Sequence, residues 1–529
     1  MQAASSEAGR PAAAGRAGRD LAGVATILMA AFLLSRLTGL LRTIAISYRF
    51  GTGPELDAYV AAMRLPDFLF QVVAGGAVAS AFIPVLAGYL ARDDAAGTWR
   101  LVSGLMTLAV AVMVPASATI WLLAPQVMAL VAPEFPPAQQ QLAASLARIV
   151  LVSPTLFALG TLTTSVLNAH QRFLLAALAP TCYNLGIIGG ATLLAGPLGI
   201  RGLALGAALG AAAYLAIQLP GLVGCGWRYR PTLGLANPGV RRVGALMAPR
   251  TLGLAVAQVN FVVIVALASA MPGLITALDY AWTLTMLPLG IFAMAISTAV
   301  FPTLADQTAR DEVDEMVATL ARTLQVILYL TIPASFGLLV LGEPIVRLLL
   351  ERGEFTAAST ALTAKALRLY AIGLLGHAMV EIVTRAFYAL HDTRTPVAVA
   401  ALAMVVNVGL AFLLRALFGR EWLALALSAA AMVEATTLLL LARRRLGDLH
   451  GRAVSATALR SLAGAGALAI VVGPLARWLA PLAEGGLPGR ALEVGVAILV
   501  GGLVYVATTA LLGSEEPGRL LGLARRRLG

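Results

Sequence analysis

Long apolar stretches dominate the chain and recur at intervals that suit membrane crossings. A helical crossing needs about 20 mostly apolar residues, and fourteen runs reach a spanning length. They cover residues 21–47, 56–88, 101–131, 144–167, 176–197, 201–226, 245–270, 275–304, 317–341, 364–390, 396–417, 422–442, 456–480 and 490–512. The pattern predicts an all-α polytopic membrane protein with about 14 transmembrane helices, which we number as crossings 1 to 14.

The composition supports a membrane protein and narrows its chemistry. Of 529 residues, 59% are apolar and 12% are charged, whereas roughly a quarter of the residues in soluble proteins are charged. Cys182 and Cys225 have no paired spacing for a disulfide or a cysteine metal site. The single lysine, Lys365, does not lie in the Gly-Lys-Ser/Thr motif of a phosphate loop. We therefore expect no built-in ATPase, no cofactor, no metal site and no nucleic-acid partner, and we leave a coupling cation open.

Arginines in the separators set the expected orientation, because cytoplasmic loops carry an excess of basic residues near helix ends. With the amino terminus inside, the inside segments hold roughly twice as many basic residues as the outside segments. We therefore expect both termini in the cytoplasm. The outside loop containing Arg347, Arg352 and Lys365 runs against this trend.

An internal repeat predicts the domain organisation. Comparison of the chain with itself aligns residues 81–93 with 299–311, with seven identities in thirteen positions. The two windows close crossings 2 and 8, which predicts two six-helix lobes of the same topology. The expected segments are a disordered cytoplasmic tail (1–20), an N-terminal lobe (21–226), a cytoplasmic linker (227–244), a C-terminal lobe (245–442), crossings 13 and 14 (456–512) and a basic cytoplasmic tail (513–529).

Ionisable residues inside crossings are costly, at least about 2.5–3.5 kcal/mol each at the bilayer centre, and are therefore candidate functional groups. The densest group is in crossings 1 and 2 and contains Arg36, Arg42, Asp57 and Arg64. Arg36 and Arg42 lie about 240° apart on a straight helix, and a bend at Gly39 would let both reach one cavity. Because guanidinium groups offer paired donors to phosphate, this group predicts an anionic, phosphorylated cargo.

Later crossings contain candidates for coupling or gating. Asp279 in crossing 8 and Glu434 in crossing 12 could bind a coupling cation, and an ordinary satisfied polar contact is the alternative. Gly75 and Gly76 interrupt crossing 2 and Pro288 interrupts crossing 8. These breaks fall in corresponding crossings of the two halves, where transporters place hinges, although membrane helices also tolerate Gly and Pro in general.

Two features of crossing 10 favour structural roles. Glu381 and Arg385 are four residues apart in the stabilising order, which predicts an ion pair within the helix. His377 is interpreted as a packed histidine, in preference to a proton relay. Neither observation therefore predicts a functional site in this crossing.

Several motifs are specific enough to identify relatives. They lie at residues 35–42 (SRLTGLLR), 57–59 (DAY), 64–67 (RLPD), 81–84 (AFIP), 287–292 (LPLGIF), 347–355 (RLLLERGEF) and 385–396 (RAFYALHDTRTP). Together they resemble the MurJ/MviN family, the lipid II flippases of peptidoglycan synthesis. By motif, Arg36 and Arg42 match the arginines of crossing 1 in that family, Asp57 matches an aspartate of crossing 2, and Arg64 occupies a basic position.

The resemblance implies the fold of the multidrug/oligosaccharidyl-lipid/polysaccharide exporter superfamily. In that fold two six-helix lobes surround a central cavity, and two carboxyl-terminal helices line a lipid groove. It also implies alternating access in the bacterial inner membrane, with an undecaprenyl-pyrophosphate-linked peptidoglycan precursor as cargo and cell-wall synthesis proteins as candidate partners. We expect a transporter with no catalytic residues.

The chain departs from the fullest charge pattern of the family at four positions. Thr43 and Gly75 replace acids, and Phe70 and Thr283 replace arginines. The cargo could therefore be another polyprenyl-pyrophosphate-linked glycan or a different cargo of the superfamily. A membrane glycosyltransferase is a further alternative, but the only close acidic pair in a short separator, Asp93-Asp94, suggests a solvated turn.

Overall fold

A computed structural model of the chain describes residues 10–73 and 77–518. Within these ranges the chain forms α-helices, with short π and 3-10 segments and no β-strand. The helices are α1 (Arg10–Phe50), α2 (Pro54–Val73), α3 (Ala77–Leu90), α4 (Ala95–Leu122), α5 (Ala124–Val131), α6 (Pro137–Val150), α7 (Ser153–Ala169), α8 (Phe173–Gly189), α9 (Ala195–Leu198), α10 (Ile200–Ala216), α11 (Leu219–Gly224), α12 (Pro238–Ala268), α13 (Leu274–Pro288), α14 (Ala295–Ala309), α15 (Val313–Leu350), α16 (Ala357–Ala389), α17 (Arg394–Phe418), α18 (Leu423–Leu446), α19 (Gly451–Leu479) and α20 (Leu487–Leu511).

The all-α membrane architecture predicted from the sequence is confirmed. In the described part of the chain, twelve helical segments are long and apolar enough to cross a membrane, and each corresponds to one predicted crossing. The other two predicted crossings, 56–88 and 245–270, form helices α2, α3 and α12 without meeting both criteria over the described residues. The count of fourteen therefore stays a prediction.

The amino-terminal boundary differs from the expected one. Helix α1 begins at Arg10, so residues 10–20 continue the first helix, whereas a disordered tail was expected over 1–20. Apolar residues of crossing 1 follow directly, and Ala and Arg in the preceding segment are good helix formers, which lets the helix extend outward. Residues 1–9 and most of the expected basic tail, 519–529, lie outside the described residues.

The chain divides into two compact units. The first contains residues 1–49, 62–128 and 140–255, and the second contains 50–61, 129–139 and 256–529. Two short segments of the first half thus belong to the second unit. In the second unit α19 and α20, the predicted crossings 13 and 14, pack on α15, where Tyr505 donates a hydrogen bond to the carbonyl of Tyr329.

Glycines allow two helices of the first unit to pack at close range. A Cβ built on Gly206 of α10 would lie 2.5 Å from the Cα of Gly190, and one built on Gly186 of α8 would lie 2.3 Å from the Cα of Gly210. The spacing of four residues on both helices keeps these glycines on one face. Small residues at such positions drive helix association in membranes through close backbone packing. This contact fixes the position of α8, which contributes to the candidate site.

The turns that end corresponding helices support the internal repeat. Asp93 and Asp311, which the repeat aligns with each other, both have a left-handed backbone, with φ of 55° and 63°. In each turn the next residue donates its N–H to a carbonyl five residues back, Asp94 to Tyr89 and Glu312 to Gln307. This is the Schellman arrangement, which satisfies helix-end carbonyls. Asp94 also caps α4 by accepting a hydrogen bond from the N–H of Gly97, as expected for a turn.

We predict that Gly206→Ala lowers the thermal stability of the purified protein by several degrees, because the added methyl group would overlap the backbone of α8. The measurement is the apparent unfolding midpoint in detergent. Gly189→Ala is the matched control, since nothing lies within 4 Å of a Cβ at that position. Equal midpoints for the two variants would contradict close packing of α8 on α10.

Candidate functional site

The candidate site of the first unit is built around Arg42 of α1. Its Nη1 donates a hydrogen bond to Oδ1 of Asn184 on α8, at 3.1 Å. The amide nitrogen of Asn184 donates to the carbonyl of Ser35 at 3.2 Å and to Oγ1 of Thr38 at 3.3 Å. Asn184 is buried and Arg42 is half-buried. One amide therefore links α8 to two turns of α1 and orients the guanidinium group.

Most of the hydrogen-bonding capacity of Arg42 remains after this contact. A guanidinium group has five N–H donors, and within the described residues the bond to Asn184 is the one that Arg42 makes. The Asn184 side chain is neutral, so it anchors the group without cancelling its charge. The arrangement therefore presents a fixed positive charge whose remaining donors suit an oxyanion.

Arg36 is placed separately from Arg42. Helix α1 continues without interruption through Gly39, so the bend considered above is not formed as a helix break. The side chain of Arg36 is exposed and has no hydrogen bond or ion pair with any described residue. The two arginines lie on different faces of α1, as the 240° separation on a straight helix requires, by a rough estimate from helix geometry. No direct contact among the described residues joins them.

Tyr183 connects Arg42 with the charged residues of α2. It lies next to Asn184 in sequence, and it interacts electrostatically with Arg42 and with Asp67. Asp67 follows Arg64 by three residues on α2, and Arg64 is half-buried. Tyr183 of α8 therefore interacts with a charged residue of each of the first two crossings.

Asp57, an expected substrate contact, is buried and hydrogen-bonded to the start of α13. Its side chain is buried, with 1% of its surface exposed. One carboxylate oxygen accepts hydrogen bonds from the N–H and hydroxyl of Thr276, at 2.8 and 2.7 Å, and the other accepts from the N–H of Gly273 at 2.5 Å. These donors belong to the start of α13, where unpaired N–H groups favour a negative charge. The geometry therefore supports capping of α13, and the expected substrate contact stays a prediction.

The candidates for coupling and gating are scattered. Pro288 is the last residue of α13, and a π-helical segment, Leu289–Met294, follows it. Such segments often mark functional sites in helices, and a gating role for Pro288 stays a prediction. Gly75 and Gly76 lie outside the described residues.

The two acidic candidates do not belong to a larger ligand cluster. Asp279 and Glu434 are both half-buried. Glu434 has no hydrogen bond or ion pair with a residue in the described ranges, and no group of three or more potential metal-ligating His, Cys, Asp or Glu side chains occurs within them. A coupling-cation role for either residue remains a prediction.

The structural interpretation of two features of crossing 10 agrees with the contacts observed there. Arg385 forms the predicted ion pair with Glu381, at 3.4 Å, and also donates to Oγ1 of Thr298 at 2.8 Å. The ring of His377 packs edge-on against Trp282, with centroids 5.3 Å apart. Both observations support the structural interpretation made from the sequence.

Sequence reasoning missed Asn184, although a signal was available. An asparagine within an apolar crossing must find a partner, because an unpaired amide is costly in a membrane. The second half contains a related contact, in which Asn407 of α17 donates to Asn260 of α12. Asn260 occupies the position that corresponds to Arg42 when the two halves are aligned by the repeat. The same pair of crossings is therefore linked in each half, by a charged contact in the first and a neutral one in the second.

Three of the four residues that depart from the family's charge pattern lie in the described part of the chain, and all three are uncharged. Thr43 is buried, and its hydroxyl donates to the carbonyl of Gly39 at 3.1 Å. Phe70 packs against Phe157 with ring centroids 5.6 Å apart. Thr283 is half-buried on α13. These side chains contribute packing and local hydrogen bonds at positions where relatives with the fullest charge pattern carry charged residues.

The fold is that of a polytopic all-α membrane protein, and it is shared with solved transporters. An inward-facing multidrug transporter of the MATE family, from the MOP superfamily, shares the fold, with a TM-score of 0.65 at 16% identity over 81% of this chain and 99% of that one. A solved lipid II flippase MurJ in an inward closed conformation gives a TM-score of 0.78 at 25% identity, covering 92% of this chain and 98% of that one.

The sequence comparisons are more specific. The family model for the lipid II flippase MurJ matches residues 46–483. A probable lipid II flippase MurJ of Vibrio cholerae is 31% identical over 92% of this chain and 95% of its own length. The lipid II flippase MurJ of Burkholderia cenocepacia is 31% identical over 78% of this chain and 82% of its own. The chain belongs to the lipid II flippase MurJ family, as its motifs indicated.

We predict that Asp57→Ala lowers the apparent unfolding midpoint by several degrees, because it leaves buried N–H groups of α13 without an acceptor. Asp57→Asn should have an intermediate effect, since an amide retains one acceptor oxygen. Glu55→Ala is the control, because Glu55 is an exposed acid in the first turn of α2, the helix that contains Asp57. An unchanged midpoint in Asp57→Ala would disprove the capping role.

Proposed function

We propose that the protein is a flippase that moves lipid II from the cytoplasmic to the outer leaflet of the bacterial inner membrane by alternating access. Membership of the MurJ family supports this cargo. The observation that carries the mechanism is the Arg42 guanidinium group, held by the neutral Asn184 with most of its donors uncommitted. Such a group is suited to the pyrophosphate of the cargo, because guanidinium can bind phosphate oxygens through paired hydrogen bonds.

Arg36 and Arg64 complete the proposed electrostatic attraction. Arg36 is exposed on the same helix as Arg42, and Arg64 lies on α2 beside the acid that interacts with Tyr183. We assign Arg42 to direct contact with phosphate and Arg36 to attraction of the anionic head group. The proposal needs no contact between the two arginines, because electrostatic attraction acts over several ångströms in a site of low dielectric.

We propose that both termini lie in the cytoplasm, as the distribution of arginines predicts. Two of the three basic residues in the outside loop that runs against this trend form ion pairs. Arg347 pairs with Glu343 at 2.9 Å, and Lys365 pairs with Glu421. The third, Arg352, donates to the carbonyl of Leu348. The rule counts basic residues whatever acids lie near them, so the proposed orientation rests on the excess of basic residues in the inside segments.

A second candidate cargo is another polyprenyl-pyrophosphate-linked glycan. The specific observation in its favour is the aromatic packing of Phe70 and the half-buried Thr283 at positions where relatives with the fullest charge pattern carry arginines. Because these arginines are missing, contact with the pyrophosphate falls to Arg42 and its neighbours. The site would then also accept a head group of different structure. Energy coupling is proposed to come from the membrane potential, a cation gradient or consumption of the flipped lipid.

We predict that Arg42→Ala abolishes growth rescue in cells depleted of their own lipid II flippase, while Arg42→Lys rescues only partly because an ammonium cannot bind phosphate in a paired geometry. Arg444→Ala, at an exposed arginine after crossing 12, should rescue fully at an equal membrane level. Full rescue by Arg42→Ala would remove the proposed mechanism. Failure of the unmodified protein to rescue, together with flipping of another pyrophosphate-linked glycolipid in vesicles, would favour the second cargo.

We also predict that Asn184→Leu weakens the binding of lipid II to purified protein by about tenfold, the loss expected when a charged group is no longer held in place. Native mass spectrometry of the purified protein would measure binding. Gln218→Leu is the matched control, because it removes a buried amide that bonds to Thr164 and to Tyr214 and is remote from Arg42 in the hydrogen-bond pattern. Equal binding by the two variants, at equal stability, would contradict a positioning role for Asn184.

A further inference from the structure

A basic cavity lies at one end of the first unit, apart from the site around Arg42. Its volume is about 590 Å³, and it is lined by Ala95, Ala96, Trp99, Arg100, Cys225, Gly226, Arg228 and Arg230. Three of these residues are arginines and none is an acid. Within the described chain, Arg100, Arg228 and Arg230 form no ion pair, and their side chains are exposed. The cavity therefore concentrates uncompensated positive charge.

The backbone that forms one wall is hydrogen-bonded to α4. Residues 227–230 follow the end of α11 and run beside α4. Ser103 accepts a hydrogen bond from the N–H of Arg230 at 3.1 Å, and Thr107 is hydrogen-bonded to the hydroxyl of Tyr229 at 2.9 Å. Arg228 and Arg230 line the basic cavity, and the residues that alternate with them, Trp227 and Tyr229, do not.

Those neighbours line a second, apolar cavity. Trp227 and Tyr229 border a space of about 230 Å³ whose other walls are Met106, Val110, Leu159, Thr163, Leu215, Leu219 and Leu222. These walls belong to the membrane-spanning parts of α4, α7, α10 and α11. One short segment thus presents arginines to a charged cavity and aromatic rings to an apolar one. That combination matches an amphiphile with an anionic head group.

The position along the helices agrees with this chemistry. Arg100 lies in the second turn of the spanning segment that begins at Ala95, and Arg228 lies four residues after the spanning segment that ends at Gly224. The cavity is therefore at a membrane boundary, where Trp and Tyr side chains are enriched. A fourth arginine, Arg172, packs against Gly224. Basic pockets between membrane helices at such boundaries bind phosphate-containing head groups.

We propose that this cavity binds the phosphate head group of an anionic phospholipid, with Arg100, Arg228 and Arg230 as the phosphate ligands and Trp227 and Tyr229 beside the acyl chains. This lipid site is separate from the proposed cargo site, and it does not depend on the identity of the cargo. The bound lipid would be a resident component of the membrane, which holds the segment 227–230 against α4.

The test compares two variants of the full-length protein with equal loss of charge. The first carries Arg100→Gln, Arg228→Gln and Arg230→Gln, and the second carries Arg443→Gln, Arg444→Gln and Arg452→Gln at exposed positions outside the cavity. Native mass spectrometry would measure binding of phosphatidylglycerol, with phosphatidylcholine as the neutral comparison. We expect the first variant to bind phosphatidylglycerol at least about tenfold more weakly than the unmodified protein, and the second to bind it nearly as well.

Three outcomes would overturn part or all of the proposal. Equal phosphatidylglycerol binding by the two variants would refute a site at these arginines. Binding of phosphatidylcholine as tight as phosphatidylglycerol would refute recognition of the anionic charge. If millimolar inorganic phosphate displaces phosphatidylglycerol from the unmodified protein but a neutral salt of equal ionic strength does not, the ligand is a soluble phosphate and the lipid assignment is wrong. Growth rescue by the first variant would show that its fold and transport survive.

Discussion

The hydrogen bond between Arg42 and Asn184 is the interaction on which the proposed transport chemistry depends. An arginine within a membrane crossing carries a cost of several kcal/mol unless the protein provides polar surroundings. A carboxylate would meet that cost by cancelling the charge. Asn184 instead supplies one acceptor and uses its own N–H groups on α1, so the charge remains available for an anion.

That hydrogen bond requires α8 to lie at a fixed distance from α1, and the packing of α8 explains how this is achieved. Gly186 follows Asn184 by two residues and contacts the backbone of α10. Any side chain at Gly206 or Gly210 would move α8 outward. Small residues far from the charged group are therefore part of its support. The same principle applies to Asp57, whose burial is stabilised because a helix terminus supplies three hydrogen bonds.

Features that depend on composition and on the spacing of residues along a helix were predicted from the sequence. Features that depend on which helix faces pack together were missed. Apolar length located the crossings, and the internal repeat anticipated the matching turns at Asp93 and Asp311. The ion pair of Glu381 with Arg385 followed from helical spacing. The hydrogen bonds of Asp57 could not be predicted, because its partners, Gly273 and Thr276, are far away in the sequence. The helical start at Arg10 was missed because polar composition alone suggested a disordered tail.

The internal repeat shows how one architecture can provide asymmetric chemistry. In the first half, an arginine of crossing 1 is held by an asparagine of crossing 5, and in the second half two asparagines of crossings 7 and 11 form the corresponding contact. Each contact hydrogen-bonds polar side chains and joins the corresponding pair of crossings in its half, so both serve the packing of their halves. Only the first leaves a permanent charge. A membrane crossing tolerates the neutral pair at lower cost than a charged group, so packing alone does not explain the arginine of the first half, whereas the contact with an anionic cargo proposed above would explain it.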